Sequence, residues 1–159
     1  MLQKKINLKK WTNKDSYDFL ESNMGKKLIN HIMKNGCKNK AEKILCDVLL
    51  LLSETLEENP IKVLKIAIKN VEPLVEVKTI KLRGANYSVP VPLSKKRRNS
   101  LSIKWIIETS RKKKKSPIKK LLAEEILLAY KQQGESFKKK ISVHKLASSN
   151  RAYAHFRWF

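Results

Sequence analysis

The stretch VEVKTIKLRGANYSVPVPLSKKRRNSLSIKW, residues 75–105, decides the fold of this 159-residue chain. The side chains of its first eight residues alternate as in a strand, and Arg83-Gly84-Ala85-Asn86 then supplies a turn in which Gly84 accepts a positive φ. The returning segment carries Pro90 and Pro92, which a central strand does not tolerate because each proline lacks a backbone donor. The stretch therefore predicts a projecting two-stranded β-ribbon over about residues 74–93, followed by a basic helix.

A strong positive charge surrounds this ribbon. Residues 78–120 contain fifteen lysines or arginines and a single acid, Glu108, and the whole chain has a formal net charge of +22. Charge of this size destabilises a compact chain unless a polyanion neutralises it, and RNA or DNA phosphates are the expected neutraliser. The hydrophobic content of 42% and the regular apolar spacing predict a folded binding protein rather than a disordered basic tail.

Apolar residues at helical spacing predict six helices on either side of the ribbon. Gly36 is expected to cap the first helix, Asn59-Pro60 to begin the third, and Ser94 to cap the fourth. The predicted helices cover about residues 24–34, 39–56, 60–72, 95–112, 116–134 and 135–152. The predicted fold class is all-α, a six-helix domain with a protruding two-stranded β-ribbon arm between the third and fourth helices. Residues 1–20 form a basic N-terminal arm, and residues 21–159 form a single helical domain.

Several classes of protein are disfavoured by what the sequence lacks. Cys37 and Cys46 lie nine residues apart without a CxxC motif, so the sequence predicts no zinc site and no disulfide, and it favours a reducing compartment. The longest aliphatic run covers residues 48–52, too short for a membrane span. The basic N-terminal residues are not followed by an apolar core, so we expect no secretory signal.

The sequence also predicts no enzyme, no metal and no cofactor. A nuclease needs carboxylates gathered near the phosphate, whereas the acids here lie mostly outside the basic segment. His31, His144 and His155 are scattered along the chain, and packing or phosphate contact is the expected role of each. The phosphate-binding pattern G-x-x-x-x-G-K-[ST] does not occur.

Lysines and arginines supply phosphate contacts, and aromatic rings interleaved with them offer surfaces for base stacking. For Tyr87, Tyr153, Phe156 and Trp158 the alternative is packing within the domain, and Trp105 is expected in the core. For residues 1–14 and 111–115, the alternative to phosphate contact is a solvated segment without a ligand. The predicted rRNA-binding residues are Lys4, Lys5, Lys9, Lys10, Lys34, Lys38, Lys78, Lys81, Arg83, Tyr87, Lys95, Lys96, Arg97, Arg98, Lys104, Arg111, Lys112, Lys113, Lys114, Lys115, Arg151, Arg157 and Trp158.

Five segments in this order and spacing resemble a known family. They are INHIMKNG at 29–36, NPIKVLKIAIKNVEPLVEVK at 59–78, RGANYSVPV at 83–91, RRNSLSIKWII at 97–107 and NRAYAHFRW at 150–158. Over about residues 25–158 the chain resembles ribosomal protein seven of the small subunit, in its bacterial and organellar form.

The resemblance implies a structural role without catalysis. It implies binding to the 3′ major domain of small-subunit rRNA, organisation of head assembly, and a position near the exit-site tRNA and the mRNA. By position, Lys78, Lys81, Arg83 and Tyr87 match the ribbon arm of the family, and residues 95–98 match the basic face beside it. The expected neighbours are small-subunit proteins nine, eleven, thirteen and nineteen.

The chain departs from the family pattern at three places. Cys37 replaces a lysine after the first helix, Arg83 replaces the first of two turn glycines, and Ile141-Ser142 replace an acidic pair. Lysines outnumber arginines 30 to 6, as in proteins encoded by AT-rich genomes. We therefore expect an organelle-encoded protein of the mitochondrial matrix, with the plastid and the bacterial cytoplasm as alternatives. The alternative function is a DNA-binding architectural protein that inserts a β-arm into a groove.

Overall fold

The computed structural model describes residues 13–56, 58–113 and 116–157. The predicted fold class is confirmed, because a helical domain carries an antiparallel hairpin between the predicted third and fourth helices. The elements in chain order are α1 (Asn13–Glu21), α2 (Asn23–Ile32), α3 (Lys38–Thr55), α4 (Pro60–Val71), β1 (Val75–Leu82), β2 (Ala85–Pro92), α5 (Lys95–Lys112), α6 (Ile118–Tyr130), α7 (Glu135–Ser149) and a terminal 3₁₀ helix (Arg151–Phe156).

Helix α1 was not predicted from the sequence. It lies largely within the segment expected to be a basic arm, yet Phe19 and Leu20 are buried and join the main hydrophobic core. The predicted boundary between arm and domain, at residues 20 and 21, therefore falls at the end of a packed helix. The helical domain begins at least as early as Asn13, and the predicted arm residues 1–12 lie outside the described part of the chain.

Gly25 permits the close approach of α1 and α2. The Ser22 hydroxyl caps α2 by accepting a hydrogen bond from the Gly25 backbone N–H at 3.0 Å. A Cβ atom at Gly25 would collide with the Phe19 carbonyl oxygen and would lie 2.8 Å from that of Leu20. Only glycine fits at this junction without movement of the backbone.

We expect Gly25→Ala to destabilise the domain by about 1–3 kcal/mol, because the added methyl overpacks a buried backbone junction. At an unconstrained helical position the same change would stabilise by up to about 1 kcal/mol, so the sign of the effect is diagnostic. Urea unfolding followed by circular dichroism measures it, with the exposed Asn23→Ala as the control in the same helix. A Gly25→Ala protein more stable than the parent would contradict the crowding.

Helix α3 lies at the centre of the core. Its side chains Leu45, Val48, Leu49 and Leu52 are at most 1% exposed. The helix packs against α4 and α6, and α6 also packs against α5. Helix α4 begins as predicted, with the Asn59 side chain accepting a hydrogen bond from the Ile61 N–H at 2.9 Å and Pro60 in the first turn. Trp105 is 8% exposed, which confirms its prediction as a core residue.

Two predicted caps and one predicted helix end differ in detail. Helix α2 ends at Ile32 and is capped by Met33, whose N–H bonds to the Ile29 carbonyl, and Gly36 takes its positive φ in the turn that leads into α3. Ser94 occupies the N-cap position of α5, but its side chain makes no capping hydrogen bond. Gly134, predicted near the end of α6, instead precedes the first residue of α7 with φ +95°. Gly36 and Gly134 both have positive φ, and such a residue marks a turn without showing which of the two neighbouring helices it serves.

The hairpin forms where the sequence predicts it, but its turn is shorter than the predicted four residues, because Ala85 and Asn86 pair within the second strand. Leu82 pairs with Ala85, so Arg83 and Gly84 form a two-residue turn in which both residues have positive φ, 47° and 86°. Strand β1 packs against α7, and β2 packs against the 3₁₀ helix, while the turn residues are exposed. The base of the hairpin is thus held by the domain, and its tip faces solvent.

Candidate nucleic-acid interface

A basic surface runs from the tip of the hairpin to the first turn of α5. We call it the arm surface, and all of its six cationic residues are exposed: Lys78, Lys81, Arg83, Lys95, Lys96 and Arg97. Glu76 of β1 joins its two halves, because its carboxylate lies 3.8 Å from the Lys78 ammonium and 3.5 Å from the Arg97 guanidinium. The structure therefore brings Lys78 of the hairpin and Arg97 of α5 to the same carboxylate.

The first turn of α5 is electrostatically unfavourable without a ligand. It holds Lys95, Lys96, Arg97 and Arg98 and no acid. The helix dipole is positive at this end, so each exposed cation there costs about 0.3–1 kcal/mol. A phosphate would reverse this cost, because it would be attracted both to the cations and to the unpaired N–H groups of the first turn.

Three of the cations predicted to contact phosphates also hold the domain together. The Arg98 Nε donates a hydrogen bond to the Leu93 carbonyl at 2.9 Å, at the end of the hairpin. The Arg111 guanidinium donates to the Ile32 carbonyl at 2.6 Å, at the last turn of α2. Lys113 forms an ion pair with Glu125. Because these cationic groups have intramolecular partners, each of them also positions an element of the domain, and their contact with RNA stays a prediction.

Glu125 is the most buried acid among the described residues, with no exposed surface. Its Oε2 lies 2.7 Å from the Lys113 Nζ, and its Oε1 accepts hydrogen bonds from the backbone N–H and the hydroxyl of Ser136 at 3.0 and 2.8 Å. One carboxylate on α6 thereby fixes both the end of α5 and the start of α7. The sequence reasoning did not identify this role.

The other predicted cations lie apart from the arm surface or in surface ion pairs. Lys38 pairs with Glu42 at 3.5 Å, and Lys104 pairs with Glu108 at 3.7 Å. Burial alone would raise the pKa of Glu108, but the hydrogen bond and charge of Lys139, together with Lys104 and Lys112, hold that pKa below its usual value. The remaining predicted cations among the described residues are all exposed, and they are Lys34, Lys112, Arg151 and Arg157. Lys4, Lys5, Lys9, Lys10, Lys114, Lys115 and Trp158 lie outside the described residues.

Tyr87 belongs to a cluster of three rings at the side of the hairpin. Its ring centroid lies 5.3 Å from that of Tyr153 and 5.2 Å from that of Phe156, both in edge-on geometry. Tyr153 and Phe156 stack on each other at 6.1 Å. The cluster docks the 3₁₀ helix on β2, so packing within the domain, the alternative to base stacking, describes these rings in the structure.

We expect Tyr87→Ala to release the 3₁₀ helix from the hairpin, because it removes two ring contacts worth about 0.5–1.5 kcal/mol each. Hydrogen exchange of residues 151–157 measures this local opening, and faster exchange there is the expected result. Tyr87→Phe keeps the ring and serves as the control. Unchanged exchange in the alanine variant would show that the cluster does not hold the terminal helix.

The histidines have structural partners. The His31 Nε2 lies 3.2 Å from the Ser100 hydroxyl, and burial, followed by the charge of Lys104, lowers the pKa of His31. The His144 Nε2 accepts a hydrogen bond from the Leu74 N–H at 3.1 Å, and burial, followed by the charge of Lys140, lowers the pKa of His144. Over the described ranges, no group of three or more histidine, cysteine or acidic residues is arranged to hold a metal ion.

No helix in the described part of the chain is long and apolar enough to cross a bilayer.

Comparisons with known proteins agree with the geometry. The family described as ribosomal protein S7p/S5e matches residues 2–151. The chain is 43% identical to small ribosomal subunit protein uS7 of Thermotoga neapolitana over 132 residues, which cover 83% of this chain and 85% of the relative. It is 41% identical to small ribosomal subunit protein uS7m of Reclinomonas americana over 158 residues, 99% of both chains. The chain belongs to the ribosomal protein S7p/S5e family, whose members are structural proteins of the small ribosomal subunit and not enzymes.

Proposed function

We propose that this chain binds the 3′ major domain of small-subunit rRNA and organises the head of the subunit during assembly. In this role it recognises the shape of folded RNA through phosphate contacts rather than reading base sequence. The observation that carries the proposal is the arm surface, a set of exposed cations on the hairpin and the first turn of α5 in a chain of the S7p/S5e family.

We assign the phosphate contacts according to whether each cation already forms an ion pair with an acid of the domain. Lys81, Arg83, Lys95 and Lys96 form no ion pair with any described acid, so their charges are available to phosphates. Lys78 and Arg97 share Glu76, which leaves the three-residue group with a net positive charge. The proposed footprint over the rest of the domain includes Lys34, Lys38, Tyr87, Arg98, Lys104, Arg111, Lys112, Lys113, Arg151 and Arg157. The predicted contacts beyond the described residues stay in the proposal as the sequence placed them.

The position of the hairpin gives the proposal a second part. Its tip, at Arg83 and Gly84, is the exposed end of an element whose base is packed on the domain. We place this tip near the exit-site tRNA and the mRNA. The proposed protein neighbours are small-subunit proteins nine, eleven, thirteen and nineteen.

The proposed location is the mitochondrial matrix, with the gene in the organelle. Two observations support it: the excess of lysine over arginine, 30 to 6, and the similarity over the whole chain to the uS7m protein of Reclinomonas americana. Bacterial relatives are equally similar in identity, so a bacterial cytoplasmic ribosome is the competing location.

A direct competition experiment tests the function. The full chain is bound to a labelled transcript of the 3′ major domain and challenged with unlabelled transcript or with duplex DNA of equal length. The proposal predicts that the transcript displaces the label at far lower concentration than the DNA does. Equal displacement by both would support the architectural DNA-binding alternative.

A further inference from the structure

A groove with an apolar floor lies beside the turn between α2 and α3. Its cavity volume is about 620 Å³, within the range of about 300–1,000 Å³ that is typical of ligand sites. The floor is made by side chains from four helices, principally Ile32, Ile44, Ile107, Ile118, Leu121 and Leu122. Ile44 and Ile118 are only half-buried, so apolar surface remains open to a partner.

The rim of this groove is basic. Lys34, Lys40, Arg111 and Lys113 line it, and none of the described lining residues is acidic. The Glu125 carboxylate neutralises the charge of Lys113. The Arg111 guanidinium donates to uncharged carbonyls, so its positive charge is not neutralised by them. Lys34 and Lys40 are exposed and form no ion pair with a described acid. Three positive charges therefore face the opening without an opposite charge.

The floor suits aliphatic side chains better than nucleobases. Unstacked bases are bound by stacking on aromatic rings or on arginine planes. The described lining contains no aromatic residue, and its one guanidinium, that of Arg111, is bonded to backbone carbonyls of α2. Branched aliphatic residues, together with Met33, instead form the adaptable surface that accepts apolar side chains of a helix or strand.

From the apolar floor and the basic rim, we propose that the groove is a docking site for an acidic segment of a partner protein. The segment carries apolar anchor residues that enter the groove, and glutamates or aspartates beside them that meet Lys34, Lys40 and Arg111. This partner is distinct from rRNA, and its binding does not depend on the rRNA proposal. Lys34, Arg111 and Lys113 belong to both sites, so we also expect rRNA to exclude the segment; this exclusion alone rests on the proposed function.

The thiol of Cys37 reports on occupancy of the groove. Cys37 lines the groove and is exposed, whereas the other cysteine, Cys46, is 7% exposed. Burial, followed by the charges of Asp47 and Glu42, also raises the pKa of Cys46, which disfavours its reactive thiolate. Maleimide labelling of the folded chain therefore modifies Cys37 first, and a bound segment slows that modification.

The probe is a synthetic amphipathic peptide with leucines on one helical face and glutamates on the other. The control peptide has the same composition with the leucines dispersed, so that both peptides have equal charge. We expect the amphipathic peptide to protect Cys37 and the dispersed peptide not to. Lys34→Glu with Lys40→Glu should weaken amphipathic peptide binding at least about tenfold, and Lys62→Glu, an exposed lysine of α4, should not.

Three outcomes would overturn the proposal. Equal protection by both peptides would mean attraction to a basic surface without use of the groove. No protection by either would mean that the groove does not accept the segment. Protection by a 3′ major-domain transcript but by neither peptide would assign the groove to RNA.

Loss of rRNA binding in an arm-surface variant with intact peptide binding would separate this proposal from the rRNA proposal.

Discussion

Replacing Lys81, Arg83, Lys95 and Lys96 together with alanine is expected to weaken rRNA binding about a hundredfold at physiological salt. Each lost phosphate contact reduces the slope of log affinity against log salt by about 0.7–0.9, so the slope should fall by about 3. Filter binding to a 3′ major-domain transcript over a range of salt concentrations measures both quantities. The four side chains form no ion pair with a described acid, so the fold should be unaffected.

The matched control removes the same charge from another part of the domain. The control uses four exposed lysines: Lys62, Lys65 and Lys69 of α4, and Lys131, which directly follows α6. Changing these four to alanine should reduce the salt slope by much less, because it lowers net charge without removing phosphate contacts. Equal loss in the two variants would show that rRNA responds to total charge and not to the arm surface.

Glu125→Ala is expected to lower the free energy of unfolding by about 3 kcal/mol, the largest stability effect that we predict for a single side chain. The change leaves the Lys113 ammonium and both Ser136 donors without their acceptor. The Lys113 side chain is 32% exposed, so its ammonium recovers some hydration in the variant. The expected loss of stability therefore lies at the lower end of the range for broken buried ion pairs. Urea unfolding at fixed ionic strength measures the effect.

Glu124 provides the control for this prediction, since it is the preceding residue of the same helix and is exposed. Glu124→Ala should change stability by no more than about 0.5 kcal/mol. If the two alanine variants unfold at the same urea concentration, the Glu125 carboxylate does not connect α5, α6 and α7 as described.

Local sequence signals predicted most of the fold. The bounds of α3, α4 and α5 agree with the predictions to within about one residue, because apolar periodicity and the Asn59-Pro60 start act within a few residues of the chain. The hairpin followed from strand alternation and from the turn residues 83–86, although the turn itself takes only Arg83 and Gly84. Helix α1 was missed because it is short and polar, with Phe19 and Leu20 as its buried apolar residues, and lies next to a lysine-rich segment.

The candidate site was harder to predict than the fold, because the role of a cation depends on partners that are distant in sequence. Arg111 binds carbonyls 79 and 80 positions earlier in the chain, and no local pattern distinguishes it from Lys112. Glu125 did carry a usable signal. It lies four residues after Leu121 and four before Ala129, both buried, so helical spacing places its carboxylate on the buried face.

Sedimentation of native extract at high salt, followed by ultraviolet crosslinking and sequencing of the attached RNA, tests the central claim most directly. We predict that the chain sediments with small ribosomal subunits and that its crosslinks fall in the 3′ major domain of the rRNA. Crosslinked peptides should include the arm surface. Crosslinks dispersed over unrelated RNA, or recovery mainly with DNA, would contradict the proposed role in the head of the small subunit.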